Sequence, residues 1–436
     1  MATHTSPAEP LLVVLGSTGT GKSELAVELA TRFKGEIINS DAMQLYDGLP
    51  IITNKISLEE RHGIPHHLLG HIPLDDAPWD VEDYKSEATK IIREIRSRGN
   101  LPILVGGTQY YVDPLLFKDV ILDDVQTDPS LSFPILEEST EVLLEELKKV
   151  DPIMAERWHP NDRRKIQRSL EIYLHTGRPA SELYAEQEKR KAAATQESGT
   201  NRPWEKLLFW VYSERDTLTA RLDSRVDKML DAGLLDEVQE LFDMKKSKTA
   251  EGQILNMTKG IWQSIGYKQF EPYMSAKEEG KDPADLEKLK FNALEDMKTA
   301  TRRYANYQTR WIRLKQIPRL KEQGPEAFGS LYLVDSTDVS QFKVNVIEPA
   351  AEITAKFLSG QTRPLATELS GLAHEVLTRV VCVTEQAWQR HIKSAGHKRA
   401  MKKKKRLALV PVDNTLDTPS DVEASSDPDV TSIFAT

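Results

Sequence analysis

The chain has 436 residues, 39% of them hydrophobic and 29% charged, which allows two or three domains with a buried core. Its single cysteine excludes an internal disulfide framework and a complete cysteine-rich metal cluster, and no apolar run is long enough to cross a bilayer. The net charge of −9 disfavours a nucleic-acid partner only as an average. From Pro411 onward Asp413, Asp417, Asp421, Glu423, Asp427 and Asp429 occur with no basic residue, whereas "HKRAMKKKKR" just before them is strongly positive. The opening "MATHTSPAEP" has neither the apolar core of a signal peptide nor the arginines of a transit peptide, so a soluble cytosolic protein is expected.

Leu11 to Gly16 is predicted to be a buried parallel strand, followed by a helix from Lys22 to Phe33 with Leu25, Leu29 and Phe33 on one stripe. "EIINSD" (36–41) predicts a second strand ending in polar residues. Residues 80–99 place Val81, Tyr84, Ala88, Ile91, Ile92 and Ile95 at helical spacing, with Asp80 as N-cap and Gly99 as the stop. "LPILVGGT" (101–108) is a further short strand. Strands alternating with amphipathic helices predict an α/β fold: a parallel sheet covered on both faces, whose ligands collect where the strands end. Gly16, Asp41 and Thr108 fall at such ends.

From about 129 to 204 helix follows helix. One covers 138–150 and stops at Asp151-Pro152; another covers 161–177, stops at Gly177, and turns Ile166, Leu170 and Tyr173 inward with Arg164 and Arg168 outside. "LLFWVYS" (207–213) restores a strand, and helices follow. The expected organisation is a first core part at 11–128, a helical insertion at 129–204, the second core part with helices at 205–358, a finger-like segment at 375–398, and a basic stretch with a disordered acidic tail at 399–436.

Gly16, Ser17, Thr18, Gly19, Thr20, Gly21, Lys22 and Ser23 match G-x-x-x-x-G-K-[ST] at every fixed position, between a strand and a helix. Backbone N–H groups wrap an anion in such a loop, the helix terminus adds its dipole, Lys22 supplies a point charge and Ser23 offers an oxygen to magnesium. A nucleotide enzyme usually has an acid ending a neighbouring core strand to hold that metal, but here the strand ends in Gly106-Gly107-Thr108. Asp41 could serve the metal instead, or cap a turn. Thr108 alone could be an N-cap, and Arg221 alone a solvated helical charge.

The blocks "GSTGTGKS", "INSDAMQLYDGLPIITNK", "GIPHHLLGH", "LPILVGGTQYYV", "HPNDRRKIQRSLEIYLHTG", "RVDKMLDAGLLDEV", "GIWQSIGYKQF" and "TRRYANYQTRWIR" occur in that order over about residues 11–315. Together they resemble the tRNA dimethylallyltransferase (tRNA isopentenyltransferase) family, and "LPIITNK" with "GIWQSIG" is similar to its eukaryotic branch. The resemblance implies a P-loop fold that transfers a dimethylallyl group from dimethylallyl diphosphate, with Mg2+, to N6 of the adenosine 3′ of the anticodon (position 37). It implies Asp41 at N6 and Thr108 and Arg221 at the leaving diphosphate, with Arg225 as the competing alignment. A diphosphate leaving group needs an anion cradle but no γ-phosphate sensor, which accounts for the missing strand acid.

The tRNA contacts expected from the same blocks are Gln44, Asp47, Asn54, Lys55, Arg163, Arg164, Arg168, Gln263, Arg302 and Arg303, with the anticodon stem-loop as partner. His66-His67 is expected to pack a loop, because adjacent strand residues face opposite ways and rarely share a metal. The segment around Cys382, His391 and His397 resembles the zinc finger of eukaryotic members but lacks the second cysteine, so zinc is not expected. A monomer without membrane attachment is expected, cytoplasmic, with nuclear and mitochondrial pools left open. A P-loop small-molecule kinase and a non-catalytic tRNA-binding scaffold are the alternatives.

Overall fold

The computed structural model describes residues 6–117, 133–186, 204–253 and 255–379; the finger-like segment from 380 on and both charged tails lie outside them. Strand β1 (Pro10–Gly16) carries five consecutive side chains, Leu11 to Leu15, with no solvent exposure. Such a run suits a central strand covered on both sides. Helix α1 (Lys22–Phe33) returns the chain to β2 (Gly35–Asn39), which pairs with the two-residue β3 (His66–His67). Helix α2 (Val81–Ser97) opens with a capping box between Asp80 and Asp83, and leads to β4 (Leu101–Val105) and α3 (Gln109–Leu116).

The sheet is closed by β5 (Glu205–Tyr212) and β6 (Leu331–Asp335), giving six parallel strands in the order β3-β2-β4-β1-β5-β6. Helix α1 and α14 (Glu348–Leu358) pack together, while α2 packs with α3. Parallel crossovers are right-handed, so the link from β1 toward β2 and the link from β3 to β4 run over opposite faces. The connections leaving the parallel strands β1 and β4 thus run in opposite directions, opening a crevice at their carboxyl ends where ligands of such sheets bind.

Between β4 and β5 a separate helical unit forms from α4 (Thr140–Val150), α5 (Pro152–Arg157), α6 (Arg163–Thr176) and a helical stretch at 180–186 (α7). It has its own small core, including Leu143, Leu147, Ile166, Leu170 and Ile172. On α6 it is Ile172 that is buried, and Tyr173 is only half-buried, a rotation from the expected stripe. After β5 come α8 (Arg215–Asp231), α9 (Leu234–Ala250), α10 (Tyr267–Glu278) and the 29-residue α11 (Pro283–Trp311). A π-helical turn, Ile312–Gln316, links α11 to α12 (Ile317–Glu322), and α13 (Pro325–Phe328) precedes β6.

β3 and β6 go beyond the expected strands. His66 and His67 are packed, as expected: His67 Nε2 meets Glu36 at 2.6 Å and His66 Nδ1 meets the Ile64 carbonyl at 2.8 Å. Among the described residues no helix is long and apolar enough to cross a membrane.

Candidate active site

The loop from Gly16 to Ser23 joins β1 to α1 at the crevice. Gly19 has φ +82°, and a Cβ there would come 2.7 Å from Leu222 of α8, so the position admits only glycine without rearrangement. Thr20 Oγ1 donates to the Ser17 carbonyl at 2.9 Å and Lys22 Nζ donates to the same oxygen at 2.7 Å. Burial holds Lys22 down at about 8, opposed by the nearby Asp41 carboxylate and reinforced by Arg225. The Ser23 side chain is exposed at the first turn of α1.

Helix α8 covers the loop from outside. Arg225 Nη1 donates to Thr18 Oγ1 at 2.8 Å, its Nε is buried without a partner, and desolvation lowers it to about 10 against the pull of Asp41. Arg221 is committed to backbone: it donates to Gly19 O at 3.1 Å, Ser336 O at 3.0 Å and Thr337 O at 3.2 Å.

Across the crevice, the ends of β2 and β4 are stitched together. Asn39 Oδ1 accepts from Asp41 N at 3.0 Å, and Ser40 N donates to Val105 O at 2.8 Å. Asp41 Oδ1 accepts from Met43 N at 3.1 Å, and the Gln44 amide also favours the charged carboxylate. Desolvation raises the Asp41 pKa, with Lys22 and the Met43 amide opposing. Asp41 therefore caps the turn that follows β2 while its carboxylate stands within electrostatic reach of Lys22.

Thr108 stands at the N-cap position of α3 but makes no capping bond. Its buried Oγ1 accepts from Ala42 N at 3.0 Å instead, joining the β4 end to the loop that carries Asp41. Beside Thr108 and Ala42 lies a pocket walled by Tyr46, Trp79, Tyr111 and Gln263, whose Oε1 is buried without a partner.

Several residues expected to meet RNA have partners within the protein. Gln44 Nε2 donates to Asn54 O at 2.9 Å, and Lys55 Nζ to Thr53 Oγ1 at 3.0 Å, with burial holding Lys55 at about 8. Arg302 grips Asp223 of α8 at 2.6 and 2.7 Å, and Arg168 pairs with Glu171 at 2.8 Å. Arg163 donates to the carbonyls of Leu136 and Glu138. Asp47, Asn54 and Arg303 are exposed, and the Arg164 side chain lies outside the described part of the structure. Cys382, His391 and His397 lie outside the described residues as well, and the described ones contain no cluster of three metal-ligating side chains.

The reading of the sequence missed Gln308 of α11. It is 1% exposed, its Oε1 accepts from Thr18 N at 2.8 Å and its Nε2 donates to Gly107 O at 3.0 Å. A glutamine on the apolar stripe Thr301, Tyr304, Ala305 and Gln308 of a long helix was the available signal.

A parallel sheet that presents a glycine-rich loop, a desolvated carboxylate and Arg225 in one crevice has the architecture of a P-loop α/β enzyme. The comparisons with known proteins make that class specific. The IPP transferase family model matches residues 44–315. The tRNA dimethylallyltransferase of Schizosaccharomyces pombe is 38% identical, the alignment covering 92% of this chain and 96% of that protein. The human tRNA dimethylallyltransferase is 34% identical over 94% of this chain and 90% of its own length. A crystal structure of a eukaryotic dimethylallyltransferase acting on tRNA superposes with a TM-score of 0.69 at 34% identity, covering 92% of this chain and 98% of that one. The tRNA isopentenylpyrophosphate transferase of Bacillus halodurans follows with a TM-score of 0.51 at 30% identity, over 84% of this chain and 99% of its own. The chain belongs to the IPP transferase family and is a transferase.

Proposed function

We infer that this protein transfers the dimethylallyl group of dimethylallyl diphosphate to N6 of the adenosine at position 37 of tRNA, next to the anticodon on its 3′ side. The observation that carries the reading is the juxtaposition of a complete anion cradle with a desolvated carboxylate, in a crevice where β4 ends without an acid. A phosphate-hydrolysing site would want that acid; an alkyl transfer wants a base beside the leaving-group cradle.

In the transfer, a bond forms between N6 and the first carbon of the prenyl chain, and the bond from that carbon to the diphosphate oxygen breaks. The diphosphate departs with the electron pair, and N6 loses one proton. The Asp41 carboxylate takes the proton; burial makes it more basic than one in water, which suits it to a weakly nucleophilic amine. Lys22 and the loop N–H groups take the growing negative charge. Arg225 is the better-supported leaving-group arginine, because Arg221 is tied to three carbonyls whereas Arg225 faces the loop with an unpartnered Nε. Thr108 Oγ1 accepts from Ala42 N and its side chain also hydrogen-bonds Tyr304, which holds the hydroxyl at the crevice beside the leaving group. The donor set fits magnesium: exposed Ser23 Oγ at the head of α1 is a hard oxygen that would hold Mg2+ together with diphosphate oxygens, where the ion supplies charge neutralisation. The pocket of Tyr46, Trp79, Tyr111 and Gln263 beside Thr108 suits an unstacked base, and the helical unit α4–α7 with α11 would carry the tRNA.

The test is incubation of the full chain with labelled dimethylallyl diphosphate, Mg2+ and tRNA. Label is expected in tRNA, and Asp41→Ala is expected to abolish transfer while tRNA affinity stays within about threefold. No label in tRNA, or consumption of ATP without tRNA, would overturn the reading in favour of a small-molecule kinase.

A further inference from the structure

We propose that Gln308 is a positioning residue for the transfer: its single amide clamps the diphosphate loop to the Gly-Gly-Thr loop and so fixes the distance between the leaving group and Thr108. The proposal rests on the prenyl-transfer reading of this crevice.

The two loops come from different strands, β1 and β4, and each must hold its place while charge moves between them. Gln308 reaches both at once, accepting from Thr18 N at 2.8 Å with Oε1 and donating to Gly107 O at 3.0 Å with Nε2. The Gly107 bond is buried and the Thr18 bond half-buried, so a lost partner at Gly107 strands a buried polar group. The fit is tight: a Cβ on Gly107 would stand 2.0 Å from Gln308 Nε2. Glycine at 107 is therefore the counterpart of glutamine at 308.

The clamp is anchored behind. Ala305, one turn before Gln308, packs with Leu218 and Leu222 of α8 in a small apolar cluster, and Leu222 lies beneath Gly19 of the loop. Arg302, a further turn back, grips Asp223 of α8, and Arg225 of that helix holds Thr18 Oγ1. Thr18 is thus fixed through its amide by α11 and through its hydroxyl by α8. Gln308 touches neither reacting group by this geometry. It sets where the groups that do so stand, and a displacement of the order of 1 Å in such a site costs about 100-fold in rate.

The experiment compares the full chain with Gln308→Met and Gln308→Glu. Methionine keeps the length and apolar bulk and removes both hydrogen bonds. Single-turnover transfer should fall by about 10- to 100-fold, while tRNA affinity stays within about threefold and the thermal midpoint within a few degrees. Glutamate keeps the acceptor for Thr18 N and, only when protonated, restores a donor for the Gly107 carbonyl. Its rate relative to wild type should therefore be lowest at pH 8 and recover toward wild type as the pH falls to about 6. Wild-type rate in the methionine variant, or equal loss of tRNA binding and transfer, overturns the proposal. If the methionine variant does not fold, a glutamate-to-wild-type ratio that is flat with pH overturns it instead. Absence of transfer in the wild-type control would count against the prenyl-transfer reading, not the clamp.

Discussion

Two titrating groups of opposite demand stand at the ends of the proposed reaction. Asp41 must be ionised to take a proton, and its pKa is raised by desolvation; Lys22 must be charged to meet the diphosphate, and burial lowers it to about 8. The rate constant kcat/KM for the diphosphate substrate, which reports the free enzyme, should rise from acid pH as Asp41 loses its proton and fall above about pH 8 as Lys22 loses its own. Bound diphosphate favours the charged lysine, so the alkaline fall should be weaker in kcat than in kcat/KM. Lys55 is also held at about 8, so the profile alone does not identify the group. Lys22→Arg does, because arginine stays charged throughout this range: the variant should be slower but lose its alkaline limb. An unchanged limb in that variant would assign it to Lys55. The loop motif placed Lys22 at the head of α1, and the strand pattern placed Gly16, Asp41 and Thr108 at strand ends, because spacing and strand position are written locally. Gln308 and the roles of the two arginines were not legible, since they depend on which helix lies over the loop.

At the scale of elements, what the sequence shows clearly is what repeats. Strands β1, β2, β4 and β5 and helix α2 are visible because their apolar residues run together or recur at 3.6 residues. β3 has two residues and no period at all, and β6 is a four-residue apolar run ending in Asp335, far from any partner in sequence; both exist because β2 and β5 offer open edges. Tyr173 was expected inside because the spacing from Leu170 allows it, yet α6 turns Ile172 to the core, as crowding in a small helical unit decides between adjacent candidates. Two substitutions separate an element's stability from its part in the site. Asp80→Ala removes the exposed capping box of α2 and should cost about 1 kcal/mol of stability. Gly107→Ala adds one methyl group against the Gln308 amide and should cut transfer by more than about tenfold, with tRNA affinity kept. Thermal melts beside transfer assays check both; a Gly107→Ala enzyme of normal rate would show that the two loops are not held to tight tolerance.

The molecule as a whole has two principal cores, and they share no residue: one fills the sheet and its helices, the other sits within α4–α7. That separation has a mechanical meaning. A cavity made in the small core is felt where it is made, because the packing that could relax around it ends with the unit. Leu147 is fully buried there, and Leu147→Ala should cost about 2 to 5 kcal/mol, a large fraction of what a unit of this size has to lose. Hydrogen exchange should then quicken across 140–176 while β1, β4 and β5 stay protected. Function should divide along the same line. The anion cradle is built wholly from the sheet domain and its helices, so diphosphate affinity should hold, whereas tRNA affinity should fall if the helical unit carries the RNA. Phosphate contacts release counterions, so the loss should show as a shallower dependence of tRNA binding on salt as well as a weaker complex. Exchange that quickens evenly through both cores would show that they unfold as one, and equal loss of diphosphate and tRNA binding would remove the helical unit's separate role.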